Sequence, residues 1–92
     1  MQQWKEDIIN KLNEKAQSER VIFFHDYATK ELNINHIKRN DLLDIVNAFL
    51  KSNPDYKAYH DVSNPTNSLF CGLILAEKGM YNDENECCFN DI

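Results

Sequence analysis

Two stretches of the chain place apolar residues at helical spacing. The first, residues 3 to 19, predicts an amphipathic helix, because most of its charged residues fall away from the apolar side. That side consists of Trp4, Ile8, Ile9, Leu12 and Ala16. The second, residues 40 to 52, predicts the clearer helix, with Asn40 as N-cap and Pro54 preventing continuation. Its apolar stripe consists of Leu42, Leu43, Ile45, Val46, Phe49 and Leu50.

Between these helices the pattern leaves alternatives open. The β-branched and aromatic run from Val21 to Phe24 favours a short buried strand, but it could equally begin a helix that continues to Leu32. Asn33 and Asn35 indicate a turn in the ambiguous region that follows.

The apolar pattern after the second helix predicts a β-hairpin. Residues 56 to 62 alternate between apolar and polar positions, SNPTN around Pro65 supplies the turn, and the run from Ser68 to Ala76 supplies a more buried second strand. A helix over residues 68 to 78 remains an alternative, because Leu, Ile and Ala tolerate it. Cys71 lies inside this run and is predicted to be a buried core residue.

Together these elements predict an α+β fold, with two main amphipathic helices packed on a small antiparallel sheet. Their order along the chain is also that of a winged-helix-like arrangement. Ninety-two residues, 42% of them apolar, suffice for one domain with one modest core. Gly79 marks a break, so we expect a compact domain over residues 1–79 and an acidic C-terminal segment over residues 80–92, docked on that domain or on a partner.

Charge is unevenly distributed along the chain. The net charge is −5, yet residues 1–76 carry ten acids and nine bases, whereas residues 77–92 carry five acids and one Lys. A concentrated negative potential attracts basic partners and speeds their encounter at low salt. The acids are interleaved with Met80, Tyr81, Phe89 and Ile92, which suits a docking segment. A frayed, solvated end is the alternative interpretation.

Motifs of catalysis and metal binding are missing from the sequence. It has no Walker loop, no G-x-S-x-G and no H-E-x-x-H, and two Gly residues cannot build a phosphate cradle. Cys87 and Cys88 are adjacent and cannot form a relaxed disulfide with each other. The other candidate metal ligands lack the paired spacing of a zinc site; they are His25, His36, His60 and Cys71. We therefore expect a non-enzyme without metal or cofactor.

The sequence also gives expectations about location. Its longest apolar run, Leu69 to Ala76, is far shorter than the roughly 18 residues that span a bilayer. The first ten residues mix charges and lack the pattern of a secretory signal. An odd number of cysteines fits a reducing compartment better than a disulfide framework. These features predict a cytoplasmic protein that does not contact a membrane.

The function that these patterns favour is that of a small protein-binding module which engages a basic surface of a larger protein. Inhibitors, immunity factors and host-takeover factors act in this way, and twelve Asn and eight Lys residues suit the AT-rich genome of a phage or mobile element. The predicted partner-binding residues are Glu77, Tyr81, Asp83, Glu84, Glu86, Phe89 and Asp91.

The alternative is a winged-helix regulator that binds nucleic acid through phosphate contacts. Its contact residues would be Lys30, His36, Lys38 and Arg39. The second helix begins NDLLD, which is acidic where phosphate contacts should lie, so nucleic acid ranks below protein as a partner. Pairing of the hairpin edge with a second copy, as in a homodimer, is left open.

Overall fold

The computed structural model describes residues 1–60 and 68–81, which form four helices and three strands. In chain order these are α1 (Gln3–Ala16), β1 (Val21–Phe23), α2 (Phe24–Lys30), α3 (Arg39–Ser52), β2 (Tyr56–His60), α4 (Leu69–Gly72) and β3 (Leu73–Glu77). The strands form an antiparallel sheet in the order β1-β3-β2. The α+β prediction is confirmed. The winged-helix-like arrangement stays a prediction.

The two longest helices lie where the apolar spacing predicted them. α1 and α3 each have 14 residues and pack against each other. α3 begins one residue earlier than predicted, at Arg39, with Lys38 at the N-cap and no side-chain capping bond, so the predicted Asn40 cap is wrong. Within the described part of the chain no helix is both long and apolar enough to cross a membrane.

The region after α1 contains both a strand and a helix, which are the two alternatives that its sequence left open. Val21–Phe23 is a strand, and a helix starts at the next residue, Phe24. Asn33 then makes the predicted turn with a φ of 57°, a left-handed conformation that Asn tolerates better than most residues. Ile34 closes this turn by donating its backbone N–H to the Ala28 carbonyl at 2.8 Å.

The predicted hairpin is present, but its second strand starts later than expected. β3 begins at Leu73, because residues 69–72 form the short helix α4, in which the Ser68 hydroxyl accepts a bond from the Cys71 N–H at 3.3 Å. Cys71 is consequently exposed, and its predicted burial is wrong. The predicted turn around Pro65 lies outside the described residues.

A buried ion pair joins α1 to the start of α3. Lys5 is only 7% exposed, and its Nζ lies 2.8 Å from Asp41 Oδ1 and 2.8 Å from Asp44 Oδ2. Its alkyl stem lies along the helix contact while the ammonium group is bonded, which is how a long charged side chain is accommodated in a packed region. Hydrogen bonds to Asp41 and then Asp44 raise the pKa of Lys5 above its ordinary value.

Tyr56 connects the sheet to the end of α1. Its hydroxyl donates to the Glu19 carbonyl at 2.6 Å and also lies 3.1 Å from the Ala16 carbonyl, while its ring meets Phe49 edge to face at 5.4 Å. Burial raises the pKa of Tyr56 above its ordinary value, and the nearby Glu77 carboxylate adds to this. Tyr56 therefore fixes the position of the sheet beneath α1 and α3.

We expect Tyr56→Phe to lower the free energy of unfolding by about 1 to 2 kcal/mol, because two carbonyls lose their partner in a partly buried place. Urea denaturation measures this. Tyr27→Phe is the matched control, since that hydroxyl donates to the Lys11 carbonyl at 3.3 Å in an exposed position. Equal effects of the two substitutions would contradict the role given to Tyr56.

Stability should also fall in alkali. Tyr27, Tyr56 and Lys5 all have pKa values raised above their ordinary 10.0, 10.0 and 10.5. The folded chain therefore retains protons that the unfolded chain releases, so this stabilisation is complete below about pH 10 and is lost as pH rises through the folded pKa values. Urea midpoints should be level between about pH 8 and 9 and should decline beyond pH 10. A level profile up to about pH 11 would contradict the assignment.

Candidate functional site

The central strand of the sheet, β3, is buried on both faces. On the face toward the helices, Ile22, Ala58 and Leu75 join the main core. The opposite face, called here the second face, consists of the alternate side chains of the same strands; they are Val21, Phe23, Lys57, Tyr59, Ile74 and Ala76. Tyr59 and Ala76 are fully buried there and Ile74 is 4% exposed, with Val21 and Tyr81 packed against this cluster.

The sequence of β3 accounts for this two-sided burial. Successive side chains of a strand point to opposite faces, so four consecutive apolar residues, Leu73 to Ala76, supply two side chains to each face. A continuous apolar run is typical of a strand that is covered on both sides. β3 is also the central strand, hydrogen-bonded to β1 on one side and to β2 on the other.

Two large apolar side chains close to this face are exposed. Phe23 is paired with Ile74 at the outer side of β1, and 55% of its surface is accessible. Met80, next to Tyr81 in the chain, is 47% exposed. Phe23 therefore leaves the β1 edge of the second face partly open to solvent.

The structure describes two of the seven predicted partner-binding residues and places them on opposite sides of the sheet. Glu77 is paired in register with Tyr56, so its side chain lies toward the helices, 3.8 Å from Arg20 Nε. Tyr81 instead lies on the second face, with its ring centroid 5.2 Å from that of Tyr59. The other five lie outside the described residues; they are Asp83, Glu84, Glu86, Phe89 and Asp91.

A β-turn explains how the chain reaches the second face. The Met80 N–H donates to the Glu77 carbonyl at 3.0 Å, which closes a four-residue turn immediately after β3. Gly79 has a φ of 89°, a left-handed conformation that favours Gly. The turn reverses the chain direction, so Tyr81 points back over the sheet.

The residues of the nucleic-acid alternative are all exposed; they are Lys30, His36, Lys38 and Arg39. His36 and Arg39 line one shallow depression of about 300 Å³ together with Phe70. α3 itself is electrically balanced, and its first two acids, Asp41 and Asp44, are bonded to Lys5. This arrangement gives α3 no excess of positive charge to offer to phosphates.

A second groove lies between α1 and the segment that follows α2. It has a volume of about 460 Å³, and Trp4, Leu32 and Ile34 supply much of its apolar lining. The sequence pattern placed Trp4 on the buried side of α1, but 40% of its surface is exposed. The groove rim contains acids and bases together, namely Asp7, Lys11, Glu31 and His36. Because the rim carries both acidic and basic side chains, it favours neither an anionic nor a cationic ligand.

The three histidines are distributed over the described part of the fold and form no metal cluster with its other residues. His25 and His36 each meet the Phe70 ring edge to face, at 5.1 and 6.2 Å. His60 packs directly against Gly72. A Cβ at position 72 would lie only 2.7 Å from His60 Nε2. In residues 1–60 and 68–81 no group of three or more His, Cys, Asp or Glu could hold a metal ion. Cys87 and Cys88 lie outside those ranges.

The ring contact on the second face generates a stability prediction. We expect Tyr81→Ala to lower the free energy of unfolding by about 1 to 2 kcal/mol, because an aromatic pair and partly buried apolar area are lost. The neighbouring Met80→Ala is the control and should change stability by less than about 0.5 kcal/mol. Thermal or urea denaturation compares the two. If Tyr81→Ala left the free energy of unfolding unchanged, the ring would not stabilise this face.

No protein-family model, no curated protein and no solved structure matches this chain.

Proposed function

We propose that this chain is a non-catalytic protein-binding module whose residues 77–92 engage a basic surface of a larger protein. The observation that carries the proposal is the place in the fold at which the acidic region begins. It begins at the end of the central strand β3, passes through a closed turn, and continues from Tyr81, which is packed on Tyr59. The acids therefore start from a fixed point on the sheet.

The charges of the remaining body support a local acidic surface. Lys5 is bonded to Asp41 and Asp44, and Lys15 Nζ lies 3.5 Å from Glu31 Oε2, so several body charges are balanced within the chain. Residues 82–92 contain four acids and no base. At physiological salt a field is screened over about 8 Å, so a partner would sense this cluster rather than the nearly neutral body.

The chemistry implied for the partner is a surface rich in Lys and Arg. An exposed ion pair contributes at most about 1 kcal/mol, so several must act together, and apolar contacts must add to them. Asp83, Glu84, Glu86 and Asp91 supply the charges in this proposal. Tyr81 and Phe89 supply the apolar contacts in this proposal.

Within this class, the proposal keeps the roles suggested by the sequence, namely inhibition, immunity or host takeover, all of which block a surface by occupying it. It also places the protein in the cytoplasm.

Nucleic acid is a poorer partner, because the net charge is −5 and the start of α3 carries acids bonded to Lys5. Blocking a basic surface needs no catalytic group, which fits the lack of catalytic motifs in the sequence.

The proposal is tested by charge neutralisation in residues 82–92. The triple variant Asp83→Asn, Glu84→Gln, Glu86→Gln, called here the neutral-segment variant, should lose at least tenfold in affinity for the partner. The partner is identified beforehand by affinity capture from the native cell with the unaltered chain, and affinity is then measured by titration calorimetry. Binding should also weaken with added salt, because exposed charge pairs are screened.

The control removes the same number of charges from exposed positions of the body, through Glu6→Gln, Glu14→Gln and Asp26→Asn. Its affinity should stay within about twofold of the unaltered chain. Equal losses in both triple variants, or capture that disappears on nuclease treatment, would overturn the proposal.

A further inference from the structure

We infer that the outer edge of β1 is a docking site for an extended segment of another protein, which joins the three-stranded sheet as an additional strand beside β1. The segment carries apolar side chains opposite Val21 and Phe23 and a Lys or Arg close to Glu19. This contact is separate from residues 77–92, so the inference does not depend on the function proposed above.

The backbone of β1 leaves hydrogen-bonding groups without partners on its outer side. The Glu77 N–H donates to the Arg20 carbonyl at 2.9 Å, which makes these two residues a hydrogen-bonded pair of the antiparallel ladder. By alternation Ile22 also bonds β3, whereas the N–H groups of Val21 and Phe23 point away from it. In the described part of the chain these two N–H groups and the Val21 carbonyl have no partner. Such an edge is a template for another extended chain.

A groove of about 400 Å³ lies beside this edge. Val21 and Phe23 of β1 line it together with Tyr27 and Lys30 of α2, so a segment in the groove contacts both a strand and a helix. Phe23 is 55% exposed and lies on the same side of β1 as Val21. Side chains directly opposite in neighbouring strands approach to about 5 Å, so apolar residues at alternate positions of the segment cover both. Strand addition uses backbone bonds for affinity and alternate side chains for specificity.

The charges that line the groove favour a cationic segment. Glu31 is bonded to Lys15 at 3.5 Å, but Glu19 and Asp26 form no ion pair with any described residue. Lys30 is unpaired there as well, so the groove has one more unpaired acid than unpaired base. A Lys or Arg of the segment beside Glu19 removes this excess. Charge pairs of this kind act mainly on specificity and on the rate of encounter.

A second copy of this chain fits the edge less well than a segment of another protein. Its own β1 offers only Val21–Phe23, which spans about 10 Å. Two strands of this length bury far less than the roughly 1,200 Å² at which stable protein interfaces begin. The Phe23 carbonyl is also the N-cap carbonyl of α2 and accepts the first bond of that helix. An extended segment, by contrast, can continue past both ends of β1 and occupy the groove.

The open edge is tested first by amide hydrogen exchange in the isolated chain. Relative to their intrinsic rates, the Ile22 N–H should exchange at least about tenfold more slowly than those of Val21 and Phe23, since only Ile22 bonds β3. Equal protection of the three amides would overturn the inference, because the edge would already be paired within the chain. Protection of Val21 and Phe23 that grows with protein concentration would also overturn it, by showing a second copy at this edge.

Binding is tested with the peptide Lys-Thr-Val-Thr-Val-Thr-Lys, acetylated and amidated at its ends. When extended, it presents Lys and Val on one side and Thr on the other, and the Val amides face β1. We expect it to slow exchange at Val21 and Phe23. Methylation of the two Val amide nitrogens should abolish this effect, whereas methylation of the Thr amide nitrogens should preserve it. Equal binding of the two methylated peptides would contradict strand addition.

Substitutions in the chain separate this contact from that of residues 77–92. Val21→Pro removes an outward N–H at the first residue of an edge strand, where Pro is tolerated, and should weaken peptide binding about tenfold. Glu19→Gln should weaken it severalfold, whereas Glu6→Gln, at an exposed position of α1, should preserve it. The neutral-segment variant should bind the peptide within about twofold of the unaltered chain. A large loss in that variant would overturn the inference, because residues 82–92 would then attract the peptide; failure of the partner experiment would not.

Discussion

The fold depends on a central strand that is apolar on both sides. β3 lies between β1 and β2, and its four buried residues send two side chains to each face. The helices satisfy only one of these faces. Burial of apolar area is the main favourable term in folding, so the other face also has to be kept from water. Tyr81 helps to meet this requirement, because its ring packs against Tyr59 on that face.

The helical side of the sheet is held by a small number of specific contacts. Lys5 joins α1 to α3 through two carboxylates, and the Tyr56 hydroxyl joins the sheet to the end of α1. Removing one partner of such a bond leaves the other polar group unpaired in a poorly hydrated place, and this penalty exceeds the net stabilisation of an ordinary hydrogen bond. Residues 82–92 carry four acids and no base, so they account for most of the net charge of −5.

Much of the fold follows from apolar periodicity, because α1, α3 and the hairpin have long or strongly patterned sequences. The errors are local and have physical reasons. Lys5 lies in a charged stretch typical of a solvated face, and only the distant Asp41 and Asp44 make its burial favourable. Cys71 lies in an apolar run that is typical of a continuous strand, but Ser68 caps a single helical turn there. The local pattern around Lys5 carries no information about Asp41 and Asp44, which are distant in the chain. Ser68, by contrast, is a local N-cap signal, and the apolar run that follows it favoured a strand instead.

The candidate site was predictable in part. The run from Leu73 to Ala76 indicates a strand covered on both faces, and Gly79 indicates the break after it. Sequence could not show that Glu77 and Tyr81 lie on opposite sides of the sheet, since the turn between them sets their directions.

The most direct measurement of the central claim is a set of nuclear Overhauser contacts from the Ile74 methyl groups and the Tyr59 ring in the isolated chain. Contacts to the Tyr81 ring protons are the predicted result, because Tyr81 packs on this face of the sheet. Contacts confined to the strands, with none to the Tyr81 ring, would contradict it.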